Sequence, residues 1–223
     1  MSFFNLFKSK TPEEIQIENW LKKAQLGDAD AMFELGYYYD KNDMCDESTK
    51  WYLSAIKMGH TQAKYYLALN YAGGMGGPNN MAIAVQYLNE LIDIGYERCC
   101  QDLAWIYSKF QHKLHPTLKQ FYDLQKAEKY YIRAINATSN DDRTESALHE
   151  LGVLYAGDKL FQFVGNTIEN PIKAAYCLYL STFGGYQKSD FETVVKNAGL
   201  NITKEDLQKW ENEYNKREFV FIN

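Results

Sequence analysis

The stretch Ala31-Met32-Phe33-Glu34-Leu35-Gly36-Tyr37-Tyr38-Tyr39 decides the fold, because its skeleton recurs along the chain. A small residue is followed four positions later by Leu, next to it by a second small residue, and three positions on by Tyr. The same skeleton reads Ala63, Leu67, Ala68, Tyr71, then Cys99, Leu103, Ala104, Tyr107, then Ala147, Leu151, Gly152, Tyr155. Offsets of four, five and eight place these residues on one face of a helix. The small members of that face let a neighbouring helix come close.

A second pattern follows each copy of the first. It reads Ser48, Trp51, Tyr52, Ala55, then Ala84, Tyr87, Leu88, Leu91, then Ala127, Tyr130, Tyr131, Ala134, then Ala174, Cys177, Leu178, Ser181. Offsets of three, four and seven are those of an amphipathic helix. Three copies run into Gly59, Gly95 and Gly185, and the third copy into Thr138-Ser139-Asn140. A glycine just past a helix takes the left-handed conformation at little cost and turns the chain back. The unit is helix, loop, helix, turn.

The motif leucines lie 32, 36 and 48 residues apart, and the growth falls mainly between the two helices of a unit. Gly73 to Pro78 fills that place in the second unit. An insert with Pro116 fills it in the third, and Gly157 to Pro171, with Leu160-Phe161-Gln162-Phe163-Val164, fills it in the fourth. Fixed helix pairs with elastic loops predict an all-α solenoid of about four repeats, with capping helices at both ends. Thr11-Pro12-Glu13-Glu14 opens an orphan second helix before the first pair. After Gly185, residues 187–196 offer an orphan first helix, and Thr203 to Asp206 start a last one. The expected organisation is a flexible tail over 1–10, the repeat solenoid over 11–186, and capping helices with a tail over 187–223.

At these residues the chain resembles the Sel-one-like repeat family, a cousin of the tetratricopeptide repeats. The resemblance rests on Ala-x-x-x-Leu-Gly-x-x-Tyr in the first helix and on Lys-Ala in the second, as in Lys126-Ala127 before Tyr130-Tyr131 and in Lys173-Ala174. It covers residues from about 20 to 186. It implies a right-handed superhelix of helix pairs acting as a protein-binding scaffold or adaptor. Cysteine-rich members of the family join the two helices of each unit by a disulfide. Here Cys99 and Cys177 have no partners at matching places, so the chain resembles the bacterial cytoplasmic type without disulfides.

Composition narrows the function further. The chain has 223 residues, 46% apolar and 24% charged, which excludes a disordered polymer. No window is apolar enough to span a membrane, and the first residues do not form a secretory signal, so a cytoplasmic location is expected. A net charge of −5 argues against nucleic acid as partner. His112 and His115 stand three apart without a third ligand, so no metal is expected. Ser54-Ala55-Ile56-Lys57 matches the SxxK of serine acylases but lacks the companion motif and falls in a packed helix. Gly73 to Gly77 lacks the Lys-Ser/Thr of a phosphate loop. No catalytic constellation stands out, and neither an enzyme, a cofactor nor a small-molecule substrate is expected.

The aromatic content is the composition's other signal, with 18 Tyr against 14 Gly. Much of it is repeat architecture. The surplus falls on first helices at positions turned away from the second helix, counted from the motif Leu. Two before it stand Phe33, Tyr65, Gln101 and His149. One before it stand Glu34, Tyr66, Asp102 and Glu150, and two after it Tyr37, Leu69, Trp105 and Val153. In helical-pair solenoids this side is concave, so Phe33, Glu34, Tyr37, Tyr65, Tyr66, Asp102, Trp105, His149 and Glu150 are the expected partner-binding residues. Aromatics supply contact area at low rotamer cost, and a recurring carboxylate would steer a basic protein. The expectation is a non-enzymatic adaptor. Alternatives are an immunity protein that neutralises a bacterial toxin or secreted effector, and a hydrolase like the cysteine-rich relatives.

Overall fold

The spacing of small residues, Leu and Tyr is realised as helices throughout. The computed structural model describes residues 10–74, 78–109, 120–137, 143–157 and 170–219. Eleven α-helices occur among them: α1 Pro12–Gln25, α2 Ala29–Lys41, α3 Cys45–Lys57, α4 Thr61–Ala72, α5 Pro78–Asp93, α6 Cys99–Lys109, α7 Leu124–Asn136, α8 Thr144–Ala156, α9 Pro171–Ser181, α10 Lys188–Asn197 and α11 Lys204–Lys216. A 3-10 turn over Thr182–Gly184 extends α9. No strand occurs among the described residues. Within each unit helices adjacent in sequence pack together, as α2 on α3 and α8 on α9, and the chain is an all-α helix-pair solenoid. The tail over 1–9, the histidine pair, the loop glycines Gly76 and Gly77, Leu160 to Val164 and the turn Thr138-Ser139-Asn140 lie outside the described residues.

The chain forms two compact units, Met1–Tyr87 and Leu88–Asn223, divided inside α5. The sequence pattern gives no sign of that division, because the second repeat runs through it.

In the first unit α1 begins with a capping box. Glu14 N donates to Thr11 Oγ1 at 3.2 Å and Thr11 N to Glu14 Oε2 at 2.7 Å, which satisfies two helix-end amides. Ile17, Trp20 and Leu21 of α1 pack on Ala24, Ala31 and Leu35, so the half-repeat covers an apolar surface of α2. α2 packs on α3, α3 on α4, and the first helices α2 and α4 also meet. Gly27 and Gly59 turn the chain with φ of 89° and 84°.

In the second unit α6 packs on α7, α7 on α8, and α8 on α9. The motif residues Cys99, Leu103, Ala104, Ala147, Leu151 and Gly152 are all buried, as are Ala127, Ala174, Cys177 and Leu178 opposite them. Three buried cysteines (Cys99, Cys100, Cys177) carry no disulfide and serve as small packing residues. α10 and α11 both lie on α9. The capping sequence at Thr203 forms as read, with Asp206 N donating to Thr203 Oγ1 at 3.1 Å and Thr203 N to Asp206 Oδ2 at 2.9 Å.

Candidate functional site

The first helices of unit 1 carry an aromatic cluster. Phe33 stacks on His60, with ring centroids 4.7 Å apart, and lies 5.6 Å from Tyr66 and 6.2 Å from Tyr37. Tyr37 and Tyr66 meet edge to face at 5.5 Å across the contact between α2 and α4. Tyr37 lies one turn after Phe33 on α2, and Tyr66 of α4 reaches both rings. All three rings are half-buried, each keeping part of its surface in solvent. His60 is the N-cap of α4. Its Nδ1 accepts from Ala63 N at 3.0 Å, which leaves the ring proton on Nε2, facing Asp30 at 3.3 Å.

Not every expected residue joins this cluster. Tyr65 is only 1% exposed and packs inside unit 1, edge-on to Tyr66, so it offers a partner no surface. Its neighbour in sequence, Tyr66, takes the outer position. Glu34 lines a cleft with Trp20, Lys23, Asp28 and Asp30, between α1 and α2. Three residues missing from the expected set do join. Asn70 Nδ2 donates to Asp40 Oδ1 at 2.8 Å, one turn beyond the Tyr37–Tyr66 pair. Lys41 places its ammonium 5.3 Å from the Tyr37 ring centre. Their signal was available in the sequence, since Asp40 and Lys41 follow Tyr37 by three and four residues and Asn70 follows Tyr66 by four.

Unit 2 treats its expected residues differently. Trp105 on α6 is 41% exposed and is its largest outward aromatic on a first helix. Asp102 lies one turn before it, with Oδ2 3.4 Å from Arg143, so its charge is largely met within the chain. Gln101 Nε2 donates to Ser146 Oγ at 2.7 Å. His149 is committed to the C-terminal elements: its ring stacks on Tyr186 at 4.5 Å and Nε2 faces Asp190 at 3.2 Å. Glu150 is half-buried and adds to the rise in the pKa of the Tyr131 phenol, which burial dominates. The recurrent carboxylate position is therefore not a row of equivalent charges.

The described cysteines are not poised as nucleophiles. Burial pushes the thiols of Cys99 and Cys177 far above the usual range. Burial and the Glu97 carboxylate, which accepts from Cys100 Sγ at 3.3 Å, raise Cys100 to about 12. These groups are protonated near neutrality. Ser54 of the SxxK match donates to Lys50 O at 2.9 Å within α3. Among the described residues no group of three His, Cys, Asp or Glu gathers to hold a metal ion, and no helix is long and apolar enough to cross a membrane.

No family model matches the sequence, and no curated protein does. Among solved structures, the chain is similar to a Sel1 repeat protein from Oxalobacter formigenes, with 22% identity and a TM-score of 0.57 over 90% of this chain and 76% of that one. It is also similar to a protective antigen of uropathogenic Escherichia coli strains displaying an SLR fold, with 16% identity and a TM-score of 0.48. That match covers 92% of this chain and 49% of the antigen, so the chain spans about half the antigen's length. The fold is that of the Sel1 repeat proteins.

Proposed function

We propose that the chain is a protein-interaction scaffold that holds a partner protein against the outward faces of its first helices. The observation that carries this reading is the aromatic surface left at those positions: Phe33, Tyr37 and Tyr66 in unit 1, and Trp105 in unit 2. A helix-pair fold can bury such rings against the next pair, as it does Tyr65. Large rings that stay half in solvent are the residues that dominate protein interfaces. The net charge of −5 favours a basic partner through steering, although Asp102 spends most of its pull on Arg143. In this reading the chain works by binding and not by catalysis. Its narrower form is toxin neutralisation, in which the acidic scaffold covers a basic toxin.

A photo-crosslinking residue at Tyr37 or Trp105 tests the proposal in cells that express the full chain. A stoichiometric crosslinked protein is expected from both positions, and none from Lys50 or Lys129, exposed on second helices. Crosslinks from the second-helix positions alone would overturn it. If co-expression of the chain rescues cells from the captured partner, the narrower form holds.

A further inference from the structure

The first turn of α4 is held by a histidine. His60 Nδ1 accepts from Ala63 N at 3.0 Å, while the ring stacks on Phe33 of α2 with the planes 15° apart. One ring thus caps one first helix and packs on the other. Side-chain caps on other helices are oxygens, from Thr11 on α1, Asp28 on α2, Asp123 on α7, Asn170 on α9 and Thr203 on α11. Hydroxyl, amide and carboxylate oxygens go on accepting between pH 5 and 8, whereas an imidazole changes its proton count inside that range. A protonated imidazole donates from both nitrogens and accepts at neither. The Ala63 amide then loses its partner, and a cation stands at the positive end of the α4 dipole. The first turn of α4 holds no acidic residue to offset that loss.

The charges around the ring decide what protonation exchanges for the cap. From α2, Asp30 Oδ1 faces His60 Nε2 at 3.3 Å, and Asp28 and Glu34 line the cleft beside Asp30. From α3 the charge nearest in sequence is Lys57, exposed in the last turn, and on α4 Lys64 holds its ammonium over the Tyr87 ring. Tyr52 and Tyr66 reach Phe33 from α3 and α4, and phenols keep their protons in this range. Asp30 is 91% exposed, so water screens its pull on an imidazolium and the pair does not replace the cap in full. We propose that His60 is a pH-sensitive cap: taking up a proton, it gives up the hydrogen bond that holds the first turn of α4 for a charged pair with Asp30, and the joint between α2 and α4 loosens. The inference stands apart from the scaffold reading, although this joint carries the Phe33 and Tyr66 rings.

The test follows the full chain, isotope-labelled, by NMR from pH 8 to 5, reading the His60 ring nitrogens and the backbone amides of α4. At pH 8 the bare ring nitrogen should be Nδ1, and on acidification the Ala63 amide should move with the same midpoint as the His60 ring. Below that midpoint the protection of the Ala63 amide against hydrogen exchange should fall about fivefold, as the loss of one cap predicts. In His60→Asn the side-chain oxygen is a good cap that takes up no proton, so the Ala63 amide should hold its place and its protection across the range. His149, which lies inside α8 and faces Asp190, is the control, and its titration should leave the α4 amides unmoved. A His60 ring that stays neutral down to pH 5 would overturn the proposal. So would a ring that titrates while Ala63 stays put, or an Ala63 change that persists in His60→Asn.

Discussion

Single residues explain the repeat motif better than the motif explains itself. The small residue after the motif Leu is glycine in two repeats because the second helix leaves no room for more. An ideal Cβ on Gly36 would stand 2.5 Å from Tyr52 Cδ1, and one on Gly152 would stand 2.8 Å from Leu178 Cγ. Gly36→Ala and Gly152→Ala are therefore each expected to destabilise the chain by about 1–3 kcal/mol in chemical denaturation, despite alanine's better helix propensity. The lysine of Lys-Ala also has a role that sequence alone hides. Lys126 lies over the Tyr107 ring at 5.2 Å and Lys173 over Tyr155 at 5.6 Å, each pair joining the second helix of a repeat to the motif Tyr of its first. A double-mutant cycle on Lys173 and Tyr155 should return a coupling of about 0.5–1 kcal/mol. Position along the helix was legible, whereas the fate of neighbouring rings was not. Tyr65 and Tyr66 differ in burial, and because α4 has no strongly apolar face its sequence does not show which ring turns outward.

At the scale of elements, the C-terminal helix shows how much a helix boundary leaves unsaid. Thr203 and Asp206 announce where α11 begins, and the structure agrees. What fastens it is a set of Tyr–Glu hydrogen bonds between residues far apart in sequence. Tyr176 donates to Glu213 at 2.8 Å, Tyr179 donates to Glu211, and Tyr214 of α11 donates back to the buried Glu145 of α8. Arg217 approaches the same Glu145 at 3.5 Å, and Trp210 sits edge-on to Tyr176 at 5.4 Å. Gly184 completes the cradle, since any side chain there would run into Glu145. Nothing in the local sequence of α11 marks those partners. Tyr214→Phe would leave a buried carboxylate with a single distant donor, at a cost of about 1–3 kcal/mol. Hydrogen exchange should report it first as faster exchange of the α11 amides, with α6 and α7 unaffected.

Across the whole molecule, the aromatic excess that packs the repeats also sets how the fold responds to pH. Burial, with carboxylate neighbours second, raises the phenols of Tyr52, Tyr131, Tyr155 and Tyr176 well above the usual 10, and those of Tyr179 and Tyr214 to about 12. Above pH 10 an unfolded chain loses these protons while the folded chain keeps them, so the folded state binds more protons and stability falls as pH rises. The buried thiols add the same trend from about pH 9, their ordinary value being 9.0. Midpoints of urea unfolding should therefore be flat from pH 7 to 9 and drop steeply beyond 10. A midpoint unchanged at pH 11 would contradict this burial. The solenoid itself was legible from four copies of one skeleton, because helix pairing depends on residues close in sequence. The division into two units was not, because it lies inside a regular repeat.

In the proposed scaffold the outward faces of the first helices do the binding. Calorimetric titration of the captured partner into the purified chain tests it most directly, comparing the native sequence with Tyr37→Ala, Trp105→Ala and the second-helix control Lys129→Ala. A Kd raised about tenfold or more by each aromatic substitution and unchanged by the control is expected. Unchanged affinity in both aromatic variants, with melting temperatures intact, would contradict it.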